Sequence, residues 1–157
     1  MWKWVVAGLA LVVLAVGLWA FEPWRLFTSS EVDEALPGGA TSPELVDLAK
    51  GDFEDAEHDT SGTARVIELS DGSRYVRFED LATSDGPDLH VWVTDQPSGG
   101  DWGSYDDGRY LKLGELKATH GNQNYEIPED ADLDGLVSVV IWCDRFNVAF
   151  GTAPVKL

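Results

Sequence analysis

The stretch "VVIWCDRFNVAFG", residues 139–151, decides the fold class of this chain. Its first part predicts a β-strand in which Val139, Ile141 and Cys143 share one face. The residues between them are also large and apolar, so both faces of this strand are expected to be buried. Such a strand lies in the middle of a sheet that is covered on both sides. We therefore expect a layered β-structure with this strand at its centre, followed by a turn or bulge at "CDRFN".

Period-two alternation recurs after residue 60 and predicts further strands. Directly after the turn, Phe146, Val148 and Phe150 stand at alternate positions and are expected to point into the core. An Asp71–Gly72 step in "SDGS" predicts a hairpin turn between the first two strands. Seven or eight strands in about 95 residues predict an antiparallel sandwich or barrel. The strands are predicted in "TARVIEL", "RYVRFEDL", "DLHVWVTD", "RYLKLGELKA", "NQNYEIP", "LVSVVIWC" and "FNVAFG".

Residues 1–24 form a separate unit, which we interpret as a transmembrane anchor. The uninterrupted apolar stretch from Trp4 to Phe21 has 18 residues, close to the roughly 20 that cross a hydrocarbon core. Tryptophans stand at both ends, where they favour the headgroup zone. A cleaved signal peptide is the alternative, although its apolar core is usually shorter, about 7 to 15 residues. Both place the rest of the chain outside the cytoplasm, and Lys3 fits an inside amino terminus. We therefore predict a single-pass cell-membrane protein.

Residues 25–50 are predicted to form an acidic linker. Acids and small residues dominate this stretch, and "PGGATSP" is a flexible break. Within it, "SPELVDLAKG" predicts a short helix with Ser42 as the cap, Pro43 in the first helical position and Gly51 as the stop. The linker is otherwise expected to be a solvated spacer between membrane and domain.

The charge balance narrows the classes of partner. The formal net charge is −17, from 28 acids against 11 bases. Nucleic acid is therefore not a predicted partner, because binding it requires a cationic face. An anionic lipid surface is disfavoured for the same reason. A single cysteine excludes an internal disulfide and a structural zinc site built from several thiolates.

Motifs of common enzyme classes are missing from the sequence. Neither G-x-S-x-G nor H-E-x-x-H occurs, and there is no C-x-x-C-H for haem attachment. The letters "DADLDG", residues 130–135, match the opening of an EF-hand loop. The twelfth position is Ile141, however, where a bidentate Glu is required, so the match fails. Whether the chain is an enzyme stays open, and no metal site is predicted from ligand spacing.

Three separated stretches carry a resemblance to a known family. They are "SGTARVIELSDGSRYVRFEDLATSDGPDLHVWVTD", "LGELKATHGNQNYEIP" and "VVIWCDRFNVAFGTAPV", in this order. Together they resemble the electron-transfer DM-thirteen domain family, over about two thirds of the chain. The resemblance implies an antiparallel β-sandwich related to the DOMON domains, so we assign the domain to residues 51–157. It also implies a redox or electron-transfer role centred on Cys143, with an unidentified redox partner. Bacterial members of the family are often tethered by one amino-terminal membrane helix.

The residues themselves leave three interpretations of Cys143 open. Free cysteine is among the most buried residue types, so packing alone would explain it. A reactive thiol needs access and a lowered pKa, which Arg145 would favour and Asp144 would oppose. A disulfide to a second chain is the third interpretation, because disulfides persist outside the cytoplasm. The resemblance favours the redox role; the alternative is a non-catalytic binding or structural module of the cell envelope in which the cysteine is only packed.

A cofactor held by Cys143 would need a second ligand, and the candidates are His58, His90 and His120. Thiolate with imidazole suits copper and iron, so haem or copper is the cofactor class to consider. His58 resembles a histidine often found before the first strand in the family and is the candidate cofactor ligand. His90 shares a strand face with Trp92, and His120 is expected in a loop.

Overall fold

A computed structural model of the chain describes residues 2–39 and 45–157. Within these residues, two five-stranded sheets pack face to face around one apolar core, and neither sheet closes into a barrel. Helix α1 (Trp2–Phe21) precedes them. The predicted β-sandwich is therefore confirmed. By length and composition α1 is able to cross a membrane, and a signal sequence would have the same properties.

The first sheet has the strand order β1-β8-β5-β4-β2. Its pairings are antiparallel except that of β1 with β8, which is parallel. Its strands are β1 (Glu31–Asp33), β2 (Leu45–Asp52), β4 (Ser61–Leu69), β5 (Arg74–Ala82) and β8 (His120–Ile127).

The second sheet has the order β3-β10-β9-β6-β7, and every pairing in it is antiparallel. Two short 3-10 helices, Pro23–Phe27 and Pro37–Gly39, lie outside the sheets. The strands of the second sheet are β3 (Glu54–Asp55), β6 (Leu89–Thr94), β7 (Tyr110–Glu115), β9 (Ser138–Cys143) and β10 (Val148–Pro154).

Strand β9 occupies the centre of the second sheet and is buried along its whole length. Its inward side chains join the core between the two sheets. Its outward side chains, Val140 and Trp142, pack in a second cluster with Trp92, Tyr105 and Ala149. Tyr105 belongs to the loop that precedes β7, and this loop covers the outer face of the second sheet. The prediction of a central strand that is apolar on both faces is confirmed.

The seven predicted strands correspond one by one to β4 to β10. Strands β1, β2 and β3 were not predicted. The short helix predicted over "SPELVDLAKG" is wrong where the structure describes it, because Leu45–Asp52 pairs with β4 as an edge strand. Backbone pairing and packing of Ala49 on the core outweigh the local helix signals. Ser42 and Pro43 lie outside the described residues.

Strands β1 and β2 come from the stretch that was predicted to be an acidic linker. Its acids stay on the surface, since Glu31, Asp33 and Asp47 are exposed. Their backbones nevertheless complete the two edges of the first sheet. A strand whose side chains are mostly solvated leaves little apolar alternation in the sequence, which is why composition alone indicated a spacer.

Candidate functional site

Cys143 is the last residue of β9 and lies at one end of the sandwich. It pairs with Leu89 on β6 and with Val148 on β10. Its side chain is fully buried in the core between the sheets. The thiol donates a hydrogen bond to the carbonyl oxygen of Pro87, with 3.1 Å between sulfur and oxygen. The sulfur is thus held between two strand ends and the loop before β6.

Burial raises the pKa of the Cys143 thiol above its usual value. The backbone N–H groups of Phe146 and Arg145 act in the opposite direction, and the charges of Asp88 and Glu57 raise the pKa further. The sulfur is therefore a neutral thiol that serves as a hydrogen-bond donor. A disulfide to a second chain would need an exposed sulfur, which this conformation does not offer.

The side chain of Arg145 does not act as a cation for the thiol. It donates a hydrogen bond to the carbonyl oxygen of Ala20, at 3.2 Å, and lies 3.5 Å from the carboxylate of Glu22. The guanidinium of Arg145 therefore binds the carboxyl-terminal end of α1 and the residue after it, and does not bind the thiol. Among the described residues, Cys143 therefore has neither the solvent access nor the neighbouring positive charge that a reactive thiolate needs.

His58 packs against the aromatic ring of Phe150, with 3.9 Å between ring centroids. Its backbone N–H donates to the carbonyl oxygen of Phe150 at 3.2 Å. Phe150 belongs to the same core cluster as Cys143. His58 thus reaches, through the ring of Phe150, the core cluster that contains Cys143, and cofactor binding by this pair stays a prediction.

His90 takes part in a cluster of three polar side chains that sequence analysis missed. Asp88, His90 and Asp144 bring one carboxylate or imidazole atom each to within 4.8 Å of one another. In the part of the chain that the structure describes, no other set of three such side chains meets this criterion, and neither Cys143 nor His58 belongs to the cluster. We call these three residues the His90 cluster.

The sequence contained half of the signal for the His90 cluster. Asp88 and His90 are two positions apart, which is the spacing of side chains that share one face of a strand, although Asp88 itself directly precedes β6. Asp144 joins them because β6 and β9 are neighbours in a register that sets Leu89 opposite Cys143. That register is a long-range feature, so the sequence pattern does not show it. His120, expected in a loop, is the first residue of β8 in the first sheet.

An aromatic row lies beside the His90 cluster on the outer face of the second sheet. Trp142 stacks on Trp92 with 4.8 Å between centroids, and Trp92 stacks on Tyr110 with 4.4 Å. The ammonium group of Lys112 lies 4.6 Å from the centroid of Trp92. The indole N–H of Trp92 is buried, and among the described residues it has no hydrogen-bond partner.

The end of α1 packs against the same end of the sandwich as Cys143. Phe21 stacks on Phe146 with 5.8 Å between centroids, so Phe146 does not point into the core as expected but lies 41% exposed in the turn after β9. Arg25 and Thr28 both bind Asp85, at 3.2 and 2.6 Å. A cavity of about 530 Å³ opens here, and Pro87 and Arg145 are among its lining residues.

Comparison with known proteins identifies the family. The family model described as "Electron transfer DM13" matches residues 52–155, which is more than half of the chain. The matched range contains every strand from β3 to β10, Cys143 and the His90 cluster. No curated protein and no solved structure matches the chain significantly.

Proposed function

The chain belongs to the electron transfer DM13 family, and from this premise we propose that it is a membrane-tethered electron-transfer domain outside the cytoplasm in which Cys143 is the redox residue. Residues 1–24 serve as the anchor in this proposal, and residues 51–157 as the domain. Residues 25–50 connect the two and lend strands to the first sheet. The redox partner is a component of, or bound at, the same membrane.

The observation that carries the proposal is the position of Cys143 relative to α1. The turn that follows Cys143 contacts the last residues of α1 through Phe146 and Arg145. If α1 spans the membrane, the Cys143 end of the sandwich therefore faces the membrane surface. The carbonyl group that accepts the thiol hydrogen bond belongs to Pro87, which lines the cavity at this end. A partner bound in that cavity would contact Pro87, and Pro87 in turn contacts the sulfur of Cys143.

Burial of the sulfur favours electron transfer over thiol–disulfide exchange. Exchange requires a thiolate to attack a sulfur atom directly, so both sulfur atoms must be accessible. Electrons, in contrast, cross a few ångströms of packed protein without contact between the two centres. A fully buried neutral thiol does not meet this requirement for exchange. In the electron-transfer mode it gives up one electron to the redox partner and its proton to solvent in the cavity that Pro87 lines.

A second candidate function is favoured by the same burial. Complete burial and a raised pKa are also the properties of a cysteine that only fills the core. In that case the domain is a non-catalytic binding or structural module of the cell envelope. The two candidates differ in whether the sulfur changes oxidation state.

Replacement of Cys143 separates the two candidates. We expect full-length protein in detergent to give a reversible voltammetric signal that Cys143→Ser and Cys143→Ala abolish, while the melting temperature of at least one variant stays near that of the wild type. Ile141→Val is the matched control, because Ile141 shares the inward face of β9; its cavity costs about 0.5–1.5 kcal/mol and leaves the signal intact.

Two outcomes would contradict the redox role of Cys143. One is a signal that persists in Cys143→Ala. The other is a wild-type protein that gives no signal at any potential in the accessible range, with both variants merely less stable. Either result assigns Cys143 to packing: the first places the redox centre elsewhere in the protein, and the second leaves the structural module as the function.

A further inference from the structure

We propose that Asp88, His90 and Asp144 bind a divalent first-row transition metal ion on the outer face of the second sheet. This site goes beyond the proposed electron-transfer role, because it does not require Cys143 to change oxidation state. The family match assigns no residue to it.

The distances within the His90 cluster suit a metal ion. Nε2 of His90 lies 2.9 Å from a carboxylate oxygen of Asp88 and 3.5 Å from one of Asp144. Metal bonds of about 2.0–2.2 Å to imidazole nitrogen and carboxylate oxygen set neighbouring donors roughly 3 to 3.5 Å apart. The third separation is no more than 4.8 Å, so a small rotation of one carboxylate completes the set.

The backbone around the cluster is fixed by hydrogen bonds. Asp88 precedes β6, His90 lies in it, and Asp144 follows β9, the neighbouring strand. The N–H of Asp144 donates to the carbonyl oxygen of Asp88 at 3.1 Å, which ties the two acidic residues together. Both carboxylates are therefore carried on a framework that is already formed before an ion binds, so little chain entropy is lost on binding.

Exposure leaves the cluster open on one side. The side chain of His90 is 18% exposed and that of Asp144 is 29% exposed, whereas Asp88 is 44% exposed. An ion can therefore enter from the Asp88 side, and water can fill the remaining coordination positions, as in metal sites that keep an open position.

Charge and donor chemistry define the class of ion. Two carboxylates lie together in a chain with a net charge of −17, and Lys112, 3.4 Å from Asp144, neutralises one of them at most. One imidazole nitrogen with two carboxylate oxygens suits zinc, manganese, iron, cobalt or copper. Calcium and magnesium prefer sites made of oxygen alone. The thiol of Cys143 is a protonated donor to Pro87 and does not belong to the ligand set.

The first test is a titration of chelator-treated, full-length protein in detergent with Zn²⁺, followed by calorimetry. We expect one ion per chain. His90→Asn should weaken binding by about tenfold or more, since changes even outside the ligand set cost 10–100-fold. His120→Asn is the matched control, because it removes an imidazole from the first sheet and should leave the affinity unchanged. Co²⁺ provides a second readout through its visible absorption bands, which should lack a thiolate contribution.

A second variant tests the role of charge. Lys112 competes for the carboxylate of Asp144, so Lys112→Gln should bind Zn²⁺ more tightly than the wild type. Cys143→Ser should keep the stoichiometry of one. Because Zn²⁺ has no redox chemistry, these results are independent of the voltammetric test of Cys143.

Several results would overturn the metal site. They are no saturable binding of Zn²⁺ or Co²⁺, equal weakening by His90→Asn and His120→Asn, and loss of the ion in Cys143→Ser. Any of them means that the cluster is only a hydrogen-bonded group in which His90 bridges two carboxylates. Equal melting temperatures for the two histidine variants exclude misfolding as the cause of weaker binding.

Discussion

At the scale of single residues, Glu79 shows how charge is balanced on the surface of the first sheet. Its carboxylate accepts hydrogen bonds from Arg65 at 2.7 Å and from Arg77 at 3.1 Å. Partial burial would raise the pKa of Glu79, but the hydrogen bonds and positive charges of the two arginines together lower it below its usual value. Glu79 therefore stabilises the fold through its ionised form.

Replacement of Glu79 by Gln should lower the free energy of unfolding at neutral pH by about 1 kcal/mol. The effect is modest because the ion pairs of Glu79 with Arg65 and Arg77 are partly exposed. The folded-state pKa lies below the unfolded one, so the contribution is fully present above the unfolded pKa and is lost as pH falls through the folded pKa. We therefore expect the difference between Glu79→Gln and the wild type, measured by urea unfolding, to shrink as pH falls below about 4.5.

Glu126→Gln provides the control for this prediction, because Glu126 is exposed on β8 of the same sheet. It should change the stability little at any pH. A Glu79→Gln variant that is equally destabilised at neutral and acidic pH would show that shape, and not charge, accounts for the effect.

The sequence predicted the directions of single residues well where period two applies. Val139, Ile141 and Cys143 face the inner core as expected, and His90 shares the face of Trp92. The period-two prediction was wrong where the chain leaves strand β9. Phe146 sits in a turn, so the alternation that predicted an inward side chain no longer holds there.

At the scale of elements, the strands that escaped prediction are those at the sheet edges. Strand β1 has three residues and pairs in parallel with β8, from which it is separated by more than eighty residues of chain. A pairing of this kind has no local signature, since neither alternation nor a turn accompanies it. Strand β3 has two residues and is too short for a periodic pattern.

Gly121 allows β1 to approach β8. A Cβ atom at this position would lie 2.1 Å from the carbonyl oxygen of Val32, and φ is +98°. We expect Gly121→Ala to displace β1 from the sheet and to speed amide hydrogen exchange at Glu34, whose N–H donates to Asn122 at 2.9 Å. Exchange measured by NMR or mass spectrometry would detect the displacement.

Gly114→Ala is the control for the loss of β1. Gly114 also has a positive φ, +130°, but a Cβ atom there would meet open space. This variant bears the backbone strain of an L residue at positive φ without a collision. Unchanged protection of Glu34 in both variants would mean that β8 can shift to accept the methyl group.

At the scale of the whole molecule, an apolar helix stands against an acidic sandwich. Composition was enough to predict both, because a run of apolar residues and a period-two pattern are each local signals. The contact between them was not predictable. It joins Phe21 to Phe146 and Arg25 to Asp85, pairs that are far apart in sequence.

The proposed topology predicts a simple result with intact spheroplasts. External protease should remove the domain and leave a membrane-bound fragment that contains Trp2–Phe21. Protection of the domain would contradict the outside placement. A soluble chain that begins after Gly17 or Ala20 would instead show that the helix is a signal peptide.

Under the proposed anchoring, the docking of α1 against the sandwich also affects which partners the domain meets. Only residues 22–27 separate the helix from Thr28, which already binds Asp85, and six residues span at most about 20 Å when fully extended. Under the proposed anchoring, the Cys143 end is thus confined to a thin layer next to the lipid. Encounters with other membrane-bound molecules become a two-dimensional search at high effective concentration, while freely diffusing molecules gain no such advantage. The short connection of residues 22–27 then favours a membrane-resident partner before any specific contact forms.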